Sequence, residues 1–441
     1  MSMPSPKMLL RFGSHSEKEY ILNMRGAVDG IVIGANLFKA TPGATASFLV
    51  KINSKRSPIP FYVDPMTYIY GCDLDLIKTE KRDKQGKIVS KDYKPSYKEM
   101  AVEYGQPFSS ALDEETPLTA DCLSAVARCC SSIIDYQVNI VAGEFKADSE
   151  FRAYIDRAPK PAAVIPPYFH IDEEDWKRWL QLNIAIWQIA LKKSGSFPVH
   201  CVLCAGSRLL ENQAFKSDLL RSLPDKVEAV WLWFTGFDEY EAMPNALMQF
   251  RKLVEELHGR GMAVYNMHGG YYSMALSKYG MTGICHGVGY GEKRDIEPIM
   301  GGGVPPVRYY LPALHKQIGV PDVERCFSSL QIMQPEDFYE KICNCEVCMS
   351  VIRTDLKEDF RKFGRMHKAR LDSKRESQTP AAAKRCRYHF LLNRIKEKKW
   401  LTGVTIDDVV SQLDEAHSIW SQTSLRSSEL ERIRFWHDAL K

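Results

Sequence analysis

Short apolar runs alternate with amphipathic stretches through the first three quarters of the chain. The runs fall at Val28–Ala35, Ile59–Val63, Ala162–Ile165, Val199–Cys204, Val230–Phe234, Met262–Tyr265, Met281–Cys285 and Val307–Leu311. Their length and their Gly, Pro and Asp boundaries predict strands. Between them the period changes. Leu123, Val126, Ala127, Ile133 and Ile134 recur at helical spacing within 120–138, and 172–191 has an acidic first turn and ends at Lys192 and Lys193, the charge order a helix dipole favours. Further helices are predicted over 207–222, over 243–259 and in a segment ending near Tyr279. Strands alternating with helices imply a parallel sheet, and eight of them in about 290 residues predict a (β/α)8 TIM barrel occupying 1–317.

Two regions leave this pattern. Residues 79–94 are charged and carry no helical stripe, which reads as a mobile insertion. Beyond 317 the alternation stops: 318–400 holds a cysteine cluster, and 401–441 reads as a helical extension with Trp420 and Trp436 as buried contacts.

Composition narrows the class. A chain of 441 residues with 45% hydrophobic content can bury a large core. No window approaches the roughly 18 apolar residues of a membrane span, and the first apolar run is too short for a secretory signal, so the expected location is cytoplasmic. The twelve cysteines, with Cys129 and Cys130 adjacent, fit reduced thiols and a metal site better than a disulfide framework. A net charge of +4 says little about nucleic acid by itself. The basic runs at 361–375 and 384–399, near the cysteine cluster, add a surface suited to backbone phosphates.

Cys343, Cys345 and Cys348 form a C-x-C-x-x-C, a spacing that turns three sulfurs toward one point. Tetrahedral zinc needs a fourth ligand, and four protein ligands make a structural site with no open position. His389, on a helical-looking segment, is the first choice; His367, Cys386 and Cys326 are the alternatives.

In a barrel, working residues come from the loops after the C-terminal ends of the strands. Those positions hold Asn36, Asp64, Tyr168, His170, Ser207, Asp238, Glu239, His268, His286 and Glu292. Asp64 directly follows an apolar strand, where it serves either as an acid or base or as the cap of the turn at Pro65. The glycine-rich stretch 283–291, with His286, Gly287 and Tyr290, allows close approach of backbone N–H groups to a flat base or a phosphate.

A barrel of eight strands, an Asp after the second, and C-x-C-x-x-C with a distant helical His together resemble the queuine tRNA-ribosyltransferase (tRNA-guanine transglycosylase) superfamily, over roughly residues 25–395. The resemblance implies a structural Zn2+ on Cys343, Cys345, Cys348 and His389. It also implies an acid/base or nucleophilic role for Asp64, with Asp238 as second carboxylate. His268, His286, Gly287 and Glu292 would line the base pocket, and Tyr168 or Tyr290 would stack on the base. Where the family carries a nucleophilic Asp near the seventh strand, this chain has Thr282 to His286, with no carboxylate. Such departures are most like the DNA 7-deazaguanine transglycosylase branch. The expected reaction is exchange of guanine for a 7-deazaguanine base in nucleic acid, DNA more than tRNA, by a homodimer or with partner proteins of a modification pathway. The alternatives are a glycosylase or nucleosidase that removes a base, and a catalytically inactive nucleic-acid-binding relative.

Overall fold

The computed structural model describes residues 5–54, 58–83, 85, 87–145, 157–289, 291–297, 306–368 and 376–441. Tyr290 and 369–375 of the basic run lie outside them. The strands are β1 (Lys7–Phe12), β2 (Gly30–Gly34), β3 (Phe61–Asp64), β4 (Lys78–Arg82), β5 (Ile88–Tyr93), β6 (His200–Gly206), β7 (Ala229–Thr235), β8 (Ala263–Asn266), β9 (Met281–His286), β10 (Tyr309–Leu311), β11 (Lys316–Ile318), β12 (Met366–Lys368) and β13 (Glu376–Gln378). Seven of them pair in the order β3-β2-β1-β9-β8-β7-β6, and each of these pairings is parallel.

Every residue of β6 and β7 is buried, because both faces of the sheet are covered. Strand alternation then sorts side chains into two cores. Val202, Cys204, Trp231, Trp233, Tyr265 and Cys285 belong to an inner core, while Cys201, Leu203, Val230, Leu232, Val264 and Ile284 pack against the helices. The sheet curls around the inner core. Tyr62 of β3 stacks on His200 of β6 with ring centroids 5.4 Å apart, although β3 and β6 are the two edges of the sheet.

Residues 162–171 run between those edges. The Ala162 N–H donates to the Phe61 carbonyl at 2.9 Å, and isolated parallel bridges join Val164 to Val199 and Ile171 to Ala205. Pro166 and Pro167, which lack N–H donors, prevent a continuous ladder there. The architecture is therefore a seven-stranded, parallel, curled sheet flanked by helices.

Three sequence expectations change. The short run at Met8 to Leu10 is a strand, and β1 lies in the middle of the sheet between β2 and β9. Val307–Leu311 is not an eighth sheet strand, because His315 adopts a left-handed φ of 50° and reverses the chain, so that β10 pairs antiparallel with β11. The charged segment 79–94 forms the antiparallel β4/β5 hairpin, its turn closed by Asp83, which accepts from the N–H groups of Gln85 at 2.9 Å and Lys87 at 2.8 Å.

The C-terminal third adds the short helices Pro335–Lys341 and Glu346–Val351 and the long helix Pro380–Gly403. Helices Ile406–Trp420 and Ser427–Leu440 pack on each other and, through the second, on Pro244–Gly259. Trp420 and Trp436 are buried there, in the same hydrophobic cluster as β6 to β9. Among the described residues no helix is long and apolar enough to cross a membrane.

Candidate functional site

Two polar clusters lie in this frame, one at the C-terminal ends of the strands and one at the cysteines. At the strand ends, Asp64 closes β3 and is 1% exposed. The next residue is a proline, and Met66 adopts a left-handed φ of 53°, so the chain turns sharply. Asp64 Oδ1 accepts from the Met66 N–H at 3.0 Å and from the Tyr168 hydroxyl at 2.8 Å. Its Oδ2 pairs with Arg11, on β1, at 3.2 Å. Asp64 thus caps its own turn and also anchors side chains from two distant segments.

Tyr168 is fixed by Thr67, whose hydroxyl accepts from the Tyr168 N–H and donates to its carbonyl, both at 2.8 Å. Burial, and then the Asp64 charge, push the Tyr168 hydroxyl far above the usual phenol range, which keeps it a donor. Tyr68 stacks on Tyr168 at 5.7 Å and meets Trp233 of β7 edge-on at 4.8 Å. Trp233 meets His268 at 5.2 Å, and the Arg294 guanidinium lies 5.8 Å from its ring centre. The Trp233 indole N–H donates to the Arg294 carbonyl at 2.8 Å. Burial lowers the His268 pKa well below the usual range, and the nearby Arg11 and Arg294 lower it further. Among the expected residues, Asp64, Tyr168 and His268 therefore share one aromatic, cation-flanked cluster.

Other expected residues lie apart from it. Asp238 forms an ion pair with Lys293 at 2.5 Å and accepts from the Tyr240 N–H at 2.9 Å. Its neighbour Glu239 is buried and accepts from Ser273 and, at 3.3 Å, from Asn266. Burial raises the Glu239 pKa to about 7 against the opposing hydrogen bond from Ser273. A Cβ added to Gly270 would lie 2.9 Å from Glu292 and 3.0 Å from Glu239, so glycine lets these carboxylates converge. Glu292 pairs with Arg394, which also pairs with Glu397 at 2.7 Å. Glu397 in turn accepts from Tyr310 at 2.6 Å and contacts His315 at 2.7 Å. The His286 Nδ1 lies 2.8 Å from the Gly287 carbonyl, and its ring meets Phe390 edge-on at 5.2 Å. Burial and Arg394 lower the His286 pKa to about 4.

At the cysteines, the ligand atoms of Cys343, Cys345, Cys348 and His389 all lie within 4.8 Å of one another, and all four residues are buried. His389 Nδ1 is 3.3 Å from both Cys345 Sγ and Cys348 Sγ and 3.9 Å from Cys343 Sγ. Tetrahedral zinc with bonds of about 2.0–2.3 Å separates neighbouring ligand atoms by roughly 3.3–3.8 Å. The donor set and spacing fit a metal ion and are compatible with zinc. His389 Nε2 is 2.6 Å from the Tyr310 carbonyl, which fixes its proton there and leaves Nδ1 to face the sulfurs. Tyr309 lies 3.3 Å from Cys348 Sγ and stacks on the His389 ring at 4.1 Å. The N–H groups of Cys345 and Cys348 donate to Cys343 Sγ and Cys345 Sγ at 3.4 and 3.5 Å. A surface cleft touches Cys343, Asn393, Glu397 and Trp400, but Cys343 is only 5% exposed. The alternative ligands stand elsewhere: the Cys386 and Cys326 thiols donate to the carbonyls of Phe363 and Asp322, and His367 is exposed on Met366–Lys368.

Sequence reasoning missed Arg11, Tyr68, Trp233 and Arg294. Recognising β1 as a strand would have exposed Arg11 near its C-terminal end, and Tyr68 follows Asp64 by four residues. Arg294 sits in the charged run after Glu292 and carries no signal of its own. No protein-family model matches the chain, and no curated protein matches it.

Proposed function

We propose that the chain is a transglycosylase that exchanges guanine for a 7-deazaguanine derivative in nucleic acid, with DNA favoured over tRNA. In this reading residues 162–171 are the proline-broken eighth stave of a closed (β/α)8 barrel, and the cysteine cluster holds a structural zinc ion outside the chemistry. The observation that carries the reading is Asp64: a buried carboxylate at a strand end, beside the Tyr68, Tyr168 and Trp233 rings. DNA is favoured because the segments after β3 and along β9 depart from those of the tRNA enzymes.

Base exchange needs an extruded base held against aromatic surface and a carboxylate at the sugar C1′. Asp64 attacks C1′ as the bond to guanine N9 breaks, and the departing guanine takes a proton. The incoming base then attacks C1′, loses its N9 proton and releases Asp64. In this reading a carboxylate after β7, Asp238 or the buried Glu239, exchanges these protons through solvent, since both lie apart from the Asp64 cluster. Asp238 is held by Lys293.

Incubation with DNA or tRNA carrying labelled guanine, together with a 7-deazaguanine base, tests the reaction. Guanine release with incorporation of the base supports exchange. Release without incorporation indicates a base-removing glycosylase, and no release in either nucleic acid ends the reading. Asp64→Asn is expected to slow exchange by at least about a hundredfold; an unchanged rate removes Asp64 from the reaction.

A further inference from the structure

We infer that Arg11, Arg294 and His268 form an anion subsite beside Asp64 that takes a phosphate group, so that the strand-end site holds its substrate as a nucleotide. The inference rests on the proposed nucleic-acid reaction for the identity of the phosphate, and on the charge and hydrogen-bond inventory of the cluster for the site itself.

The inventory is unbalanced. Arg11 donates one Nη to Asp64 at 3.2 Å, while its Nε and other Nη are buried without a hydrogen-bond partner among the described residues. Arg294 is oriented by rings: it donates to the Tyr68 hydroxyl at 3.4 Å and lies against Trp233. It makes no ion pair among the described residues. Asp64 is thus the one carboxylate paired within the cluster, set against two guanidinium groups. The exposed Asp295 borders the cluster and acts on His170 and Cys204.

His268 meets the Trp233 ring on which Arg294 also lies, and it feels the charge of both cations. It is 6% exposed, and among the described residues neither ring nitrogen has a partner at hydrogen-bond distance. Both guanidinium groups act on it electrostatically, and a longer backbone contact to Gly291, of hydrogen-bond type, acts in the opposite sense. Buried polar groups are ordinarily paired, and a buried excess of positive charge is costly. An arriving anion supplies what each group lacks: acceptors for the free Arg11 donors, a counter-ion for Arg294 and an acceptor for an imidazole N–H. The planar fork of arginine matches two oxygens of a phosphate, so two guanidinium groups in one cluster favour an anion with several oxygens. In the proposed reaction the sugar presented to Asp64 carries such a group on its own backbone.

Binding to the full-length protein tests this, followed by tryptophan fluorescence and calorimetry at fixed low salt. The probes are deoxyguanosine, deoxyguanosine 5′-monophosphate, a short single-stranded DNA containing one guanine, and inorganic phosphate. At least one phosphate-bearing probe is expected to bind about tenfold or more tightly than deoxyguanosine. Inorganic phosphate should compete with it. Arg294→Gln should remove that preference, read as the ratio of the phosphate-bearing probe's affinity to that of deoxyguanosine, and Arg294→Lys should restore part of it. Equal affinity for deoxyguanosine and both phosphate-bearing probes overturns the subsite, as does a preference that survives Arg294→Gln. If Arg294→Gln does not fold, phosphate competition in the unaltered protein decides: competition supports the subsite and its absence overturns it.

The arms also separate the sources of phosphate. Tighter binding of the DNA assigns the subsite to a backbone diester, and tighter binding of the monophosphate assigns it to a free nucleotide. Phosphate-dependent, Arg294-dependent binding without guanine exchange in any nucleic acid keeps the subsite and removes the transglycosylase reading. Exchange without any phosphate preference does the reverse.

Discussion

At the cysteine cluster each donor already faces another donor, and the layer behind it is filled: Tyr310 fixes the His389 ring, Tyr309 stacks on it, and two backbone N–H groups reach the sulfurs. At Asp64 the geometry is just as tightly held, but among the described residues Arg11 and His268 keep buried nitrogens without partners. The first arrangement is complete once an ion sits among its four ligands. The second leaves buried nitrogens unpaired among the described residues, which is what the proposed phosphate would supply. Two equally buried polar clusters can therefore do opposite work, and the count of unmet hydrogen bonds tells them apart.

The contrast breaks most visibly if the metal is taken away. Cys345→Ser or His389→Ala should reduce bound metal from one ion per chain to none by elemental analysis. The loss should cost on the order of 10 kcal/mol of binding-coupled stability and make 318–403 sensitive to protease. A protein purified without metal, with a thermal midpoint indifferent to chelator, would show that the cysteines are merely packed thiols.

A smaller effect is expected at Arg394, the buried counterpart of Arg294. Arg394→Met leaves Glu292 and Glu397 without their shared cation, and should cost about 3–5 kcal/mol in urea unfolding.

Glu239 connects the comparison to pH. Its pKa rises from 4.5 to about 7 on folding, so its contribution to stability is fully present below about 4.5 and is lost as pH rises through about 7. The loss is roughly 3 kcal/mol, and Glu239→Gln should flatten the stability profile over that interval. An unchanged profile would place Glu239 in contact with water.

The smallest effect sharpens the comparison most. Arg294→Gln removes a charge that has no carboxylate partner among the described residues, so its stability change should stay within about 1 kcal/mol. A loss as large as that of Arg394→Met would mean that Arg294 is already paired and needs no ligand.

The sequence disclosed the two clusters unevenly, and for a physical reason. Three metal ligands fall within six residues, so their convergence follows from local geometry. The fourth stood out as a His on a helical segment. Asp64 was readable because it ends an apolar strand. Its partners were not: Arg11 is 53 positions away and Tyr168 is 104. Both are brought in by a sheet whose strand order the hydrophobic pattern does not encode. The pattern also cannot distinguish Val307–Leu311 from a sheet strand, since an apolar run looks the same in a parallel sheet and in a two-stranded hairpin. The β4/β5 hairpin was illegible because it is exposed on both faces and buries almost no apolar side chain.

Helix Pro380–Gly403 carries His389 toward the sulfurs and, five positions later, Arg394 toward Glu292. Each helical residue adds about 100° of rotation and 1.5 Å of rise. One residue inserted between them would leave the metal ligands in place and swing the guanidinium a quarter-turn away from the loop after β9. This short interval therefore works as a phase setting between two otherwise independent parts. The chain should accept changes of length at the turn of the β4/β5 hairpin and refuse them here, so the spacing of His389 and Arg394 is inherited information as much as either side chain.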